Sequence, residues 1–153
     1  MNYKIPESVL VVIYTHELEV LLLERADRSG YWQSVTGSKA ADTEDISETA
    51  RREVLEETSI GAQPPHLQLK NWQWQHQYEI FEHWRHRYAP GVTHNTEHVF
   101  GLEIPRSLPI QIAPREHLQY AWLPWQEAAA KCFSPSNAEA ILQLPQRMSA
   151  VKG

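Results

Sequence analysis

The feature that most constrains the fold is one strongly signalled helix lying between segments that have the character of β-strands. Asp45 is a predicted N-cap with Glu48 three residues later, the pattern of a capping box, and this predicts a helix over residues 46–58. Apolar runs rich in β-branched or aliphatic residues precede it at residues 9–14 and 19–25. A sheet built from such strands must be covered by helices, which favours a layered α/β domain.

Further elements are predicted on both sides of this helix. Residues 15–18 are predicted to be the tight connection of a hairpin, and residues 39–43 a polar loop. The other predicted strands are residues 32–36, ending at Gly37, and residues 67–74, 77–81, 97–104 and 118–123. The other predicted helices are residues 125–131 and 137–144. The pattern predicts a single domain over residues 1–153, an α/β/α sandwich with a mixed β-sheet.

The composition and charge of the chain indicate which kinds of molecule it can bind. The 153 residues fit one domain, and 42% hydrophobic with 22% charged residues is typical of a globular chain. No apolar run approaches the roughly 20 residues of a membrane span and no signal-like segment opens the chain, so we expect a cytoplasmic location and no membrane partner. The net charge of −5 argues against a nucleic-acid partner and allows a small anionic ligand beside local cations or a metal. The single cysteine, Cys132, is expected to serve in packing.

Three glutamates cluster on one face of the predicted helix. The run REVLEE begins at Arg52 and places Glu53, Glu56 and Glu57 within about a quarter-turn of one another. Like charges at this spacing repel, so solvent or a cation must relieve them, and Mg²⁺ commonly bridges protein carboxylates to phosphates. Arg52 is placed to pair with Glu48 and Glu56, holding one carboxylate while the others face a metal. Taken alone, such a helix is more often a solvated face.

The neighbouring residues extend this helix into a longer pattern that resembles the Nudix box. The matching positions are Gly37, Glu44, residues 52–57 and Ile60, led in by residues 20–25 and Trp32. Two departures from the family pattern occur. Six residues separate Gly37 from Glu44 where the family usually has five, and Ser59 stands where the box has its second glycine. The resemblance implies a Nudix fold and a metal-dependent pyrophosphohydrolase.

The resemblance also implies roles for individual residues of the box. Glu53 and Glu57 are the expected metal ligands, with Glu116 as a third carboxylate from a distant loop and the Gly37 carbonyl as a backbone contact. Glu56 is the leading general base and an alternative ligand, because the roles of the four carboxylates can permute without changing the reaction class. Mg²⁺ is the expected ion, with Mn²⁺ as a possible substitute.

Segments outside the box resemble the dihydroneopterin triphosphate diphosphatase branch of the family. These segments are residues 32–38, 85–93, 95–97, 116–118 and 122–123. The resemblance implies release of pyrophosphate from dihydroneopterin triphosphate, leaving the monophosphate. The candidate substrate contacts are Lys4 and Arg25 for phosphate, Thr36, Tyr78, Glu79, Ile80 and Phe81 for the ring, and Ser134, which is also a predicted helix cap. Residues 85–87 form a basic cluster that is either a phosphate clamp or an exposed loop.

Two rival functions remain open from the residues. A house-cleaning pyrophosphatase acting on dATP is the first, because pterin and purine rings present similar planar donors and acceptors. A Nudix-fold module that binds a nucleotide without hydrolysing it is the second. Such modules commonly lose box carboxylates, and this chain keeps all of them.

Overall fold

In the computed structural model, which describes residues 3–62 and 67–152, seven strands form one mixed sheet. The strands are β1 (Glu7–Tyr14), β2 (Glu19–Arg25), β3 (Trp32–Gln33), β4 (Val35–Ser38), β5 (Leu69–Glu79), β6 (His94–Glu103) and β7 (His117–Pro124). The helices are α1 (Ile46–Thr58), α2 (Trp125–Lys131), α3 (Pro135–Leu142) and α4 (Leu144–Lys152), and a 3₁₀ helix covers Glu82–Arg87.

Strand β1 lies at the centre of the sheet. It pairs in parallel with β6 and antiparallel with β2 and β4. The sheet continues from β6 to β5, and from β2 to β3 and β7, through antiparallel pairs. Every residue of β1 after Glu7 is buried. Burial on both faces explains why the first apolar run is continuous instead of alternating.

Alternate residues of β1 belong to two hydrophobic clusters on opposite faces of the sheet. Val9 and Val11 pack with Val54 of α1 in the first cluster. Leu10 packs with Ile141 of α3 in the second. Burying an aliphatic side chain of this size contributes roughly 1.5–3 kcal/mol, so both faces are substantial. The predicted layered α/β architecture with a mixed sheet is therefore confirmed.

The largest error in the predicted elements concerns β5. Residues 67–74 and 77–81 were expected to form separate strands, but β5 runs without interruption from Leu69 to Glu79. The pairing with β6 shifts between Asn71 and Trp74, where Gln73 has a positive φ of 57° and donates its N–H to Asn71 Oδ1 at 2.9 Å. This bulge lies within the first of the two predicted strands, and pairing with β6 continues through residues 75 and 76 between them.

Other boundaries differ more locally. The strand expected at residues 32–36 is two short strands, β3 and β4, separated at Ser34. Ser34 donates its N–H to Asn137 Oδ1 at 2.8 Å, and Gly37 lies inside β4. The helix predicted at residues 137–144 is α3, which begins at Pro135 and ends at Leu142, and α4 was not predicted. Cys132 packs against the second hydrophobic cluster as expected, and burial raises the pKa of its thiol to about 12. Within the described ranges, no helix is long and apolar enough to span a membrane.

Candidate active site

Helix α1 begins and ends where the sequence predicts. Asp45 caps its first turn by accepting the Ser47 N–H at 2.9 Å, whereas Glu48, the expected second member of a capping box, pairs with Arg51. At the other end Ser59 adopts a left-handed conformation with φ 66° and donates its N–H to Leu55 O at 2.9 Å. A serine therefore fulfils the terminating role for which glycine is usual.

Glu53 lies between α1 and the sheet, where it contacts Gly37 of β4. It is 9% exposed. A Cβ atom at position 37 would overlap the Glu53 carboxylate, so a residue without a side chain is required for this close approach. Burial raises the pKa of Glu53. The contact therefore places the Glu53 carboxylate of α1 against the backbone of β4 at Gly37.

Glu57 is buried still more deeply, at 2% exposure. The Thr36 backbone and the Glu53 carboxylate lie beside it, and its Oε1 has no hydrogen-bond partner among the described residues. Burial, followed by the nearby Glu53, raises the pKa of Glu57 well above its usual range, and the charge of Glu116 acts in the same direction. Two buried carboxylates with an unsatisfied oxygen form a site that a cation would stabilise.

Arg52 organises the acidic residues around α1. Its guanidinium donates to Glu44 at 3.0 Å, to Glu53 at 2.8 Å and to the Ser38 carbonyl at 3.0 Å. A longer contact of 3.4 Å reaches Glu56, which confirms that predicted pair. The predicted pair with Glu48 is wrong, because the loop before α1 brings Glu44 to the guanidinium instead.

One cavity of about 920 Å³ brings most of the predicted site residues together. The predicted residues that line it are Lys4, Arg25, Thr36, Gly37, Glu53, Glu57, Tyr78, Glu79, Ile80, Phe81, Glu116 and Ser134. Arg52 and Glu56 are not in its lining, and the Glu56 side chain is 49% exposed. Ser134 caps α3 by accepting the Asn137 N–H at 3.4 Å. The metal-ligand, base and substrate-contact roles of all these residues stay predictions.

Cationic side chains from distant segments line the same cavity. Arg25 is held by Asp27 through two hydrogen bonds of 2.7 Å and lies over the Trp84 ring, 4.7 Å from its centroid. Burial, and then the charge of Arg87, lowers the pKa of Lys4. The basic cluster at residues 85–87 belongs to the 3₁₀ helix, and within it only Arg87 lines the cavity. These charges oppose the net negative charge of the chain at the place where an anionic ligand would enter.

Several cavity residues were missed as individual site residues. They are His76, Trp84, Asn95, Glu97, His117, Phe133 and Ser136. His117 lies with Nε2 3.6 Å from Glu57 Oε1, and burial lowers its pKa to about 4, so the imidazole is neutral beside the carboxylates. A sequence signal existed for two others: Asn95 and Glu97 are polar residues at alternate positions leading into the apolar part of β6.

The donor set suits a hard divalent cation. Glu53 and Glu57 supply neighbouring carboxylate oxygens, of which Glu57 Oε1 has no hydrogen-bond partner among the described residues. The charge of Glu116 raises the pKa of Glu57. In the described part of the chain, no group of three or more His, Cys, Asp or Glu side chains is already gathered as a metal site. Glu53 and Glu57 offer the oxygen ligands that a hard cation such as Mg²⁺ takes together with several waters.

A cavity lined by the buried carboxylates of α1 together with several cations suits a small phosphate-bearing molecule. The model of the Nudix domain matches residues 4–144. The chain therefore belongs to the Nudix family, whose hydrolases generally need a divalent metal.

Two relatives and one solved structure are similar to this chain over most of its length. The dihydroneopterin triphosphate diphosphatase of Escherichia coli K12 is 48% identical over 142 residues, covering 92% of this chain and 93% of that protein. The Haemophilus influenzae protein of the same name is 40% identical over 143 residues, covering 92% and 88%. The structure of the E. coli dihydroneopterin triphosphate pyrophosphohydrolase has a TM-score of 0.86 and 46% identity, covering 94% of this chain and 97% of that one.

Proposed function

We propose that this protein is a Mg²⁺-dependent pyrophosphohydrolase that cleaves dihydroneopterin triphosphate into dihydroneopterin monophosphate and pyrophosphate. The observation that carries the proposal is that a single cavity is lined by carboxylates of α1, by Arg25 and Lys4, and by aromatic and polar residues of β5, β6 and α3. The cations of such a cavity suit a triphosphate, and its aromatic and polar residues suit a fused ring. The relatives at 48% and 40% identity carry this activity in their names.

In this proposal Glu53 and Glu57 hold the metal, with Glu116 and the Gly37 carbonyl as further contacts. The contact with Gly37 and the hydrogen bond from Arg52 orient Glu53, and the Thr36 backbone lies beside Glu57. When bound, Mg²⁺ supplies neutralisation of phosphate charge and a lowered pKa for water, and Mn²⁺ offers similar chemistry.

The chain's own residues do the remaining work in this proposal. Lys4 and Arg25 bind phosphate oxygens, and the cation pair offsets part of the triphosphate charge. Glu56 is the general base, which accepts a proton from the attacking water at the solvent-facing edge of the helix. Water adds to the α- or the β-phosphorus as the bond from that phosphorus to the oxygen bridging the two breaks, and the product containing the other phosphorus keeps the bridging oxygen. A cytoplasmic location stays part of the proposal.

The substrate is tested by comparing kcat/KM for dihydroneopterin triphosphate with that for dATP, using pyrophosphate release in the presence of Mg²⁺. The proposal expects a clear preference for dihydroneopterin triphosphate. A preference for dATP would instead support a house-cleaning nucleotide pyrophosphatase, and binding of either compound without turnover would support a non-hydrolytic module.

The base is tested separately with Glu56→Gln. This change is expected to lower kcat by about 10²–10⁴-fold with little change in KM, because it removes proton acceptance and leaves the cavity lining intact. The matched control is Glu48→Gln, which removes an exposed carboxylate from the same helix. If Glu56→Gln keeps its kcat, another carboxylate must be the base.

A further inference from the structure

Glu97 is a buried carboxylate that belongs neither to the proposed metal and phosphate contacts nor to the hydrophobic clusters. It lies on β6, is 4% exposed and lines the cavity together with Asn95 two residues earlier. Because strand side chains alternate, both lie on the sheet face where Val99 joins the cluster packed against α3. This face is therefore apolar beneath α3 and polar where it meets the cavity.

The protein supplies donors to only one carboxylate oxygen of Glu97. Its Oε1 accepts the Ser136 hydroxyl at 3.2 Å and bonds His76 Nε2 at 3.0 Å, whereas Oε2 accepts no hydrogen bond from the described residues. The neighbouring Asn95 has a similar imbalance, because its buried Oδ1 also has no donor among those residues. A buried acceptor without a donor, such as Asn95 Oδ1, is costly, and Glu97 Oε2 has unused acceptor capacity beside it. These groups therefore suit a ligand that brings N–H groups.

Aromatic side chains in the same cavity favour a flat ligand, and the Tyr78 hydroxyl accepts the Asn95 amide N–H at 3.2 Å. Tyr78, Trp84 and Phe133 line the same cavity. The rings of Trp84 and Phe133 have centroids 6.4 Å apart and meet at 80°, so they present two differently oriented apolar surfaces. A planar ring with N–H donors along one edge can bury its faces on such side chains and direct that edge at a carboxylate.

We propose that Glu97 is a specificity-determining residue that accepts two adjacent N–H groups from the pyrimidine edge of a 2-amino-4-oxo ring. The inference rests on the proposed function, in which that ring is a dihydropterin. An ionised carboxylate has about four acceptor positions, of which Ser136 and His76 use two. The edge of adenine instead places one amine beside an unprotonated nitrogen, whose lone pair a carboxylate repels. Glu97 therefore discriminates for the dihydropterin and against adenine.

The test compares the ratio of kcat/KM for dihydroneopterin triphosphate to that for dATP in the wild type and in Glu97→Gln. Glutamine keeps one oxygen for Ser136 and His76 but places an amide N–H where the second oxygen was. The ratio is expected to fall about 10- to 100-fold, mainly through the pterin substrate. If Glu97 served only to anchor α3, both substrates would be affected alike, and that result in a folded variant would overturn the inference.

Two further variants keep the test decisive. Glu139→Gln is the matched control, because Glu139 lines the same cavity and the change removes the same charge, so the ratio should not move. An equal shift in this variant would overturn the inference. If Glu97→Gln fails to fold, Ser136→Ala removes a single donor to Glu97 Oε1. In Ser136→Ala, a smaller fall in the ratio of kcat/KM for dihydroneopterin triphosphate to that for dATP supports the inference, and an unchanged ratio contradicts it.

Ring recognition can also be measured apart from hydrolysis. Fluorescence titration of 7,8-dihydroneopterin, which carries no phosphate, against protein in EDTA should give a Kd about 10-fold weaker for Glu97→Gln than for the wild type. If the wild type binds this way but does not hydrolyse dihydroneopterin triphosphate, the proposed function fails and the inference stands. If it hydrolyses that substrate and both proteins bind the ring equally, the inference alone fails.

Discussion

Glu53 of α1 packs directly against Gly37 of β4, so closely that a side chain at position 37 would occupy the space of the Glu53 carboxylate. The two residues are 16 positions apart, and the polar loop between them holds Glu44, whose carboxylate binds Arg52. Arg52 in turn donates to Glu53. The close approach and the arginine together fix the orientation of a carboxylate proposed to bind metal.

Gly37→Ala is expected to displace Glu53 and to weaken metal binding about 10- to 100-fold, as when residues that orient a metal ligand are changed. Overpacking at this contact should also cost about 1–3 kcal/mol of unfolding free energy. The measurements are the Mg²⁺ dependence of pyrophosphate release and thermal unfolding. Gly61→Ala is the control, because a Cβ there meets no atom of the described residues within 4 Å. Equal behaviour of the two variants would show that the contact is unimportant.

Glu57→Gln is expected to reduce Mg²⁺-dependent turnover by more than about 100-fold with little loss of stability. The amide has nearly the same shape, and it removes a charge whose burial is unfavourable in the absence of a cation. Pyrophosphate release and urea unfolding in EDTA measure the two effects. Unchanged pyrophosphate release in a folded Glu57→Gln variant would refute the proposed metal site.

Glu44 is expected to make stability depend on acid pH. The Arg52 guanidinium is the main cause that lowers the pKa of Glu44 from its ordinary value of 4.5 to about 2. Because the folded-state pKa is depressed, the stabilisation is complete above about pH 4.5 and is lost as the pH falls through about 2. The ionised Glu44 carboxylate should contribute about 2 kcal/mol to the free energy of unfolding after allowance for its partial exposure.

Urea unfolding of the wild type and Glu44→Gln at several pH values between 2 and 7 measures this contribution. The difference in unfolding free energy should be largest at pH 7 and should shrink towards zero at the acid end. Glu17→Gln, an exposed change in the β1–β2 turn, should show no such convergence. A difference that stays constant with pH would show that Glu44 acts through packing and not through its charge.

Glu116→Ala is expected to lower kcat more than Lys4→Ala does. A carboxylate that contributes to the metal site acts on the chemical step, whereas a phosphate-binding cation acts more on substrate affinity and therefore on KM. Steady-state kinetics with dihydroneopterin triphosphate at saturating Mg²⁺ separates the two constants. The reverse order would show that the third carboxylate comes from another position.

Local signals were sufficient for several elements. The bounds of α1, β2 and α2 agree with those predicted, because helix capping, apolar periodicity and flanking turn residues act within a few positions. The hairpin turn at residues 15–18 also formed as expected, with Leu18 donating to Thr15 O at 2.9 Å. The single strand β5 was not predicted, because its continuity through residues 75 and 76 depends on pairing with β6.

The amino-acid sequence by itself determined the fold class, the carboxylate helix and the family, because a capped helix, a buried strand and the spacing of the box are properties of neighbouring residues. Tertiary structure alone decided how these residues face one another. Glu44 replaces Glu48 as the partner of Arg52, Glu56 faces solvent while Glu57 is buried, and Glu97 joins residues of β5 and α3 at the cavity. Burial and hydrogen bonding between distant segments appear only when the strands pair and the helices cover the sheet.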